Sequence, residues 1–487
     1  MILQSCNWSD QLDYKFDIEV NSDMNVGHLL MKSQDFEKGT STSVETLIVG
    51  GGVAGLSAAY QLKSKDFLLC ELSDQLGGTS GSNVFNSLRF AQGAHYDLAY
   101  PEYYGEKVLE MLSSLNIIRH QPWKNNWSFN DERYIVPFRL RNQCFESGQY
   151  RKDVLREGAI KESFIKLIMP YQRHMTLPST EINHQFRHLN KVTFESFLKS
   201  NIKVDQNFMR GIDYHMLDDY GGTANQVSAL AGIHYFMCRP YYKEVVELFS
   251  PPQGNYYFID KIASSLPQEQ LLSNHLIKKI EQGSNGYEIE AVDVTAQKIK
   301  TIRAKKIIYA GQKHALKYIY PEASSLFSTN VYAPWMVINF ILKNKLDKPG
   351  FWQNEIISDD ISFLGFIDSK AQFEVNENYR VLTAYYCLPP DSRNYLANID
   401  KNKELIVAKT IKTLDAYFNQ KIESLIKKVN IKVMGHAMTI PTTDYLFNDK
   451  NDLWPDKTFR FAGVDNGRLP LLFDAMDSGV VAADEVR

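Results

Sequence analysis

Residues 44 to 78, VETLIVGGGVAGLSAAYQLKSKDFLLCELSDQLGG, constrain this chain more than any other stretch. Val44, Leu47, Ile48 and Val49 read as a short buried strand. It runs into Gly50-Gly51-Gly52-Val53-Ala54-Gly55 and then into the helical run Leu56 to Leu62. A second apolar stretch, Phe67 to Cys70, ends in Glu71. Strand, glycine turn, helix, strand and terminal acid together make the dinucleotide-binding fingerprint in the context it needs. Gly50 permits the tight turn, Gly52 lets the backbone approach a pyrophosphate, and Gly55 lets helix and strand pack closely. The helix N-terminus at Val53 and Ala54 presents free N–H groups and a positive dipole end to the phosphates. Glu71 is placed to accept hydrogen bonds from a ribose diol, and Leu72 beside it is a further cofactor contact.

The next residues narrow the dinucleotide. Glu71 is followed after five residues by Gly77-Gly78, and Thr79 comes next. Nicotinamide sites do not require this second glycine pair. It is expected where the chain passes close to the pyrophosphate and ribitol of FAD.

GGGVAGLSAAYQL with ELSDQLGGTS resembles the flavin-containing amine oxidase superfamily. That group takes in monoamine and polyamine oxidases, protoporphyrinogen oxidase, phytoene-desaturase-like enzymes and, distantly, UDP-galactopyranose mutase. Phe459 to Val486, FRFAGVDNGRLPLLFDAMDSGVVAADEV, is similar to the closing FAD segment of the same families. The resemblance implies an α/β fold, a Rossmann-like FAD-binding domain interleaved with an α+β substrate domain of mixed sheet and helices. The expected division is an extension at 1–43, FAD-binding segments at 44–100, 251–315 and 446–487, and substrate segments at 101–250 and 316–445.

Within that frame, Gly93, Ala94 and His95 lie in the stretch expected to run under the isoalloxazine. His95 is either a proton donor or orienter there, or a structural histidine bonding backbone. Ile277 is expected to contact adenine through its main chain. Gly463 turns the chain at the ribitol, followed by Val464 and by Asp465, which takes the place of the usual Glu. Leu472 to Met476 opens a helix aimed at the flavin pyrimidine, stabilising negative charge on the reduced ring.

The resemblance also marks departures. Thr79 replaces the arginine that many amine oxidases carry after the second glycine pair. Asn339, in the apolar strand Trp335 to Leu342, stands where amine oxidases commonly place a lysine that holds a water against flavin N5, which puts rapid use of oxygen in doubt. Tyr386 and Tyr445 are the candidate aromatic pair flanking a substrate amine, with His436 able to replace one wall. No cysteine lies in the last hundred residues, so FAD is expected to be non-covalent.

Composition adds exclusions. A net charge of −3 gives no reason to expect nucleic acid. The five cysteines show neither a disulfide framework nor metal-ligand spacing. No apolar run reaches the length of a membrane span. The start, MILQSC, is either an irregular extension of a cytoplasmic enzyme or, if the true start lies upstream, the tail of a lipoprotein signal with Cys6 as anchor.

Three functions fit these residues. The first is an FAD-dependent oxidoreductase abstracting hydride from a CH–NH or CH–CH unit of a small molecule, with an amine as the expected substrate and oxygen or another acceptor taking the electrons. The second is a non-redox flavin enzyme of the mutase type, with Arg139 and Arg141 as a diphosphate clamp on a strand. The third is a flavin-binding protein without catalysis.

Overall fold

Leu47 and Ile48 are fully inaccessible and Val49 nearly so. Such burial follows when a strand has neighbours on both edges and helices on both faces. In the computed structural model, which describes residues 14–32, 34–95, 97–98, 104–124, 126–238, 248–348, 350–372 and 378–486, this strand runs Glu37–Val49. It lies between Phe67–Cys70 and Lys298–Tyr309, parallel to both. Gly286–Asp293 and His275–Gly283 extend the sheet antiparallel. Leu271–Leu272 closes the other edge, and Phe459–Phe461 pairs beside the end of Lys298–Tyr309. Val49, Cys70, Tyr309 and Phe461 therefore end side by side. The carboxyl ends of parallel strands are where such sheets bind ligands.

A second, eight-stranded sheet has Tyr332–Lys343 near its middle, antiparallel to Ile426–Thr439 and Tyr379–Cys387. Side chains alternate across a strand. Met336, Ile338, Phe340 and Leu342 pack on helix Lys403–Phe418 through Ile406, Val407, Ile411 and Leu414. The opposite face carries Trp335, which packs with helices Gln206–Tyr220 and Ala229–Cys238, and Ile341, which packs with Phe90 and Val381.

Helix Gln206–Tyr220 stops at Gly221, whose φ of 69° ends it in a left-handed cap. The residues before the glycine-turn strand divide between the two sheets. Asp17–Asn21 adds a parallel edge strand to the eight-stranded sheet, while Leu30 packs on the core of the seven-stranded one. Cys6 lies outside the described residues. Among the described residues no helix is long and apolar enough to cross a membrane.

Candidate active site

The glycine turn is built by close approach. A Cβ on Gly55 would fall 1.9 Å from the Gly50 carbonyl oxygen, so only glycine lets helix Val53–Gln61 seat against the strand end. Gly50 has φ +101°. A Cβ on Gly52 would meet nothing within 4 Å. This is an open cradle at the start of a helix that no side chain caps. Gly77 and Gly78, at φ +126° and +55°, lie against it: Gly77 N–H donates to the Gly51 carbonyl, and Gly78 lies so close that its Cβ would be 3.4 Å from Gly52 Cα. Gly78, Thr79 and Ala94 stay exposed between buried Gly77, Ser80, Gly93 and His95. The two glycine turns thus border an open lane, and Gly93 packs beneath it, where a Cβ would fall 1.9 Å from the Thr79 carbonyl.

Glu71 serves the turn itself. Its carboxylate accepts from Gly51 N–H at 2.6 Å and Ser73 N–H at 2.9 Å, and burial pushes its pKa up. Each oxygen keeps a second lone pair for a ribose hydroxyl. Leu72 is half-buried beside it. Ile277 is buried in its strand at a β-bulge against Gly286–Asp293.

At the other strand ends, Gly463 has φ +115° and donates its N–H to Ser478 Oγ. Asp465, expected to face a ribitol hydroxyl, is committed to protein groups. Its carboxylate accepts from Lys313 Nζ at 2.8 Å, Lys313 N–H at 2.9 Å and Tyr332 Oη at 3.1 Å. Lys313 Nζ also donates to the Ala462 and Gly311 carbonyls, tying two adjacent strand ends together. Val464 is half-buried with Leu472, and Met476 is fully buried on helix Leu472–Val486. Beside that helix start, Arg468 pairs with Asp477 at 2.5 Å and stands 3.9 Å from Asp474.

His95 is buried, with Nδ1 2.8 Å from the Gly93 carbonyl. That ring nitrogen must carry the proton, leaving Nε2 as an acceptor. Burial pushes its pKa down to about 3, so it is neutral at physiological pH and has no imidazolium proton to give. Its ring stands edge-on to Tyr385, 5.0 Å between centroids, and Tyr385 meets Trp335 at 6.0 Å. The Tyr385 hydroxyl is buried with no hydrogen-bond partner among the described residues.

Several expected roles change. Tyr386 points to the far face, stacked on Phe363 with its hydroxyl bonded to Thr410, and does not reach the site. Tyr385, one residue earlier, is the tyrosine beside His95. Asn339 is fully buried, with both amide protons committed to the Ala91 carbonyl at 3.0 Å and Thr383 Oγ1 at 2.9 Å, while its Oδ1 accepts from Gln92. No N–H is left to hold a water. Asn339 instead fastens segment 91–95 to the eight-stranded sheet. His436 stacks on His314, 3.6 Å between centroids, beside Tyr332, away from the His95–Tyr385 wall. Burial pushes these two histidines down to about 3 and 4. Tyr445 is buried and donates to the Val464 carbonyl at 2.5 Å. Arg139 is exposed on a 3-10 turn, Phe138–Leu140, so the paired arginines of a strand-borne diphosphate clamp are not formed.

Trp335 and Lys313 were not legible as site residues in the sequence, whereas Tyr385 and Tyr386 alternate along one strand, so that one of the two was expected to face inward. Trp335 carried only the signal of its place in an apolar strand. Lys313 carried none.

A mixed sheet with the double glycine turn, interleaved with an eight-stranded sheet under helices, is a fold this chain shares with solved oxidase structures. Residues 48–115 match the family model described as an NAD(P)-binding Rossmann-like domain. Wild-type putrescine oxidase bound to putrescine superposes with a TM-score of 0.64 at 14% identity, covering 92% of this chain and 99% of that one. Cyclohexylamine oxidase from Brevibacterium oxydans gives 0.65 at 14% identity, over 91% and 99%. A protoporphyrinogen oxidase-like protein from Exiguobacterium gives 0.64 at 12% identity, over 92% and 99%. A comparison with curated proteins finds no match.

Proposed function

We propose that the protein is an FAD-dependent oxidoreductase that takes a hydride from a carbon next to nitrogen, or from a C–C unit, of a small molecule. The observation that carries this reading is that exposed Ala94, in the segment packed under the glycine turns, is followed directly by His95, whose ring stands edge-on to Tyr385, itself in contact with Trp335. The residues fit the cofactor: Gly52 and the first turn of Val53–Gln61 would hold the pyrophosphate, and Glu71 the adenosine ribose. The Gly463–Val464 backbone would lie at the ribitol. The dipole of helix Leu472–Val486 would favour negative charge at the pyrimidine. Bound there, FAD supplies the two-electron acceptor.

This chain's own groups then position and desolvate. Tyr385 and Trp335 wall the substrate, and neutral His95 holds the wall against segment 91–95. Asn339 fixes that segment to the sheet. With no cysteine in the closing segment, the cofactor is held without a covalent bond. The mutase reading loses its support with the arginine clamp. In the amine version the neutral amine is the reacting form, so activity rises with pH through the substrate's pKa.

Anaerobic mixing of the purified protein with amines, polyamines and amino acids, followed at the flavin absorbance, tests the proposal. Bleaching by an amine is the expected result, followed by slow recovery in air because Asn339 stands where a lysine is common. Absence of bleaching by all of them, with normal reduction by dithionite, overturns the amine version and favours C–C oxidation.

A further inference from the structure

Outside the lane lies a cavity of about 210 Å³ between the loop 442–450, Thr329, Asn330 and the turn at Gly467. No residue of the glycine turns or of segment 91–95 lines it. Its most unusual member is Lys450, only 7% exposed. Its stem is packed, and its ammonium group forms no hydrogen bond to another described residue. No carboxylate among the described residues forms an ion pair with Lys450. The adjacent acid, Asp449, spends Oδ1 on Asn451 N–H and Asn466 Nδ2. Burial accordingly pulls the Lys450 pKa below its ordinary value.

The rest of the lining points the same way. The side chains of Thr329, Thr442, Thr443 and Asn448 line the cavity and hydrogen-bond no other described residue. Hydroxyls and amide N–H groups around a cation without an ion-pair partner are a donor set for an anion. The volume holds about seven waters at roughly 30 Å³ each, enough for one small oxyanion with its substituent. Exposed Asp444, also in the lining, disfavours a polyanion.

We propose that this cavity binds a single oxyanion group, the carboxylate or phosphate of a small molecule, with Lys450 as counter-charge and the Thr442 and Thr443 hydroxyls as donors. The site is separate from the flavin lane. Tyr445 lines the cavity and donates to the Val464 carbonyl, so the two share one wall.

Thermal melts and calorimetric titrations of the full chain with orthophosphate and with acetate, against chloride at matched ionic strength, test this. One of the two probes is expected to raise the melting temperature saturably beyond chloride, phosphate alone indicating a phosphate ester and acetate alone a carboxylate. K450M removes a charge that no described carboxylate pairs, so it is expected to melt close to the wild type without anion and to lose the anion response. T443V is expected to weaken binding three- to tenfold. No response beyond chloride in the wild type, or an equal response in K450M, overturns the proposal. Should K450M fail to fold, an unchanged affinity in T443V overturns it.

Discussion

The His95 ring stands perpendicular to Tyr385, 5.0 Å between centroids at 88°, and this contact joins the segment under the glycine turns to the eight-stranded sheet. One side of the pair belongs to a segment pinned under the glycine turns, the other to a strand of the second sheet. The buried Tyr385 hydroxyl has no hydrogen-bond partner among the described residues.

Tyr385 and Tyr386 should therefore respond in opposite ways. Y385F removes an unpaired buried hydroxyl, so stability is kept or gained while substrate-driven flavin reduction slows. Y386F loses the bond to Thr410 and costs about 1 kcal/mol of stability with the reduction rate unchanged. Denaturant melts and anaerobic stopped-flow on both variants separate the two roles.

The glycines also separate fold from cofactor. G55A forces a Cβ onto the Gly50 carbonyl and is expected to cost about 3 kcal/mol or more. G52A meets nothing in the protein, so the apoprotein should melt as the wild type does while FAD affinity falls tenfold or more. Equilibrium titration of apoprotein with FAD measures the second effect, and thermal melts the first.

Lys313 and Asp465 form a nearly inaccessible ion pair, their side chains 1% and 9% exposed. K313M strands a buried carboxylate and is expected to cost about 3–5 kcal/mol. The double variant K313M/D465N should recover part of that loss, because it removes the stranded charge. Urea unfolding of both variants gives the comparison.

Asp474 gives a pH signature. Burial raises its pKa from 3.8 to about 6 in the folded chain. The folded form thus keeps a proton that the unfolded form releases between about pH 4 and 6, and this residue's contribution to stability rises as pH falls through 6. Above pH 6 its buried charge costs about 3 kcal/mol. D474N is expected to melt higher than the wild type at pH 8, with the advantage shrinking through pH 6 and levelling off near pH 4.

What the sequence determined by itself is local. Gly50, Gly52, Gly55, Gly77 and Gly78 act through backbone sterics over a few residues, and the run Leu47 to Val49 declares burial on both faces, so the dinucleotide turn was readable without any long-range contact. The tertiary structure decided everything that hangs on pairing. A one-residue step in a strand reverses the face a side chain meets, so Tyr385 rather than Tyr386 reached His95 only once Tyr379–Cys387 was registered against Tyr332–Lys343. Asn339 found Ala91 and Gln92 more than 240 positions away, and Lys313 found Asp465 152 positions away. No local pattern encodes such partners, because polar groups are matched by the packing that buries them.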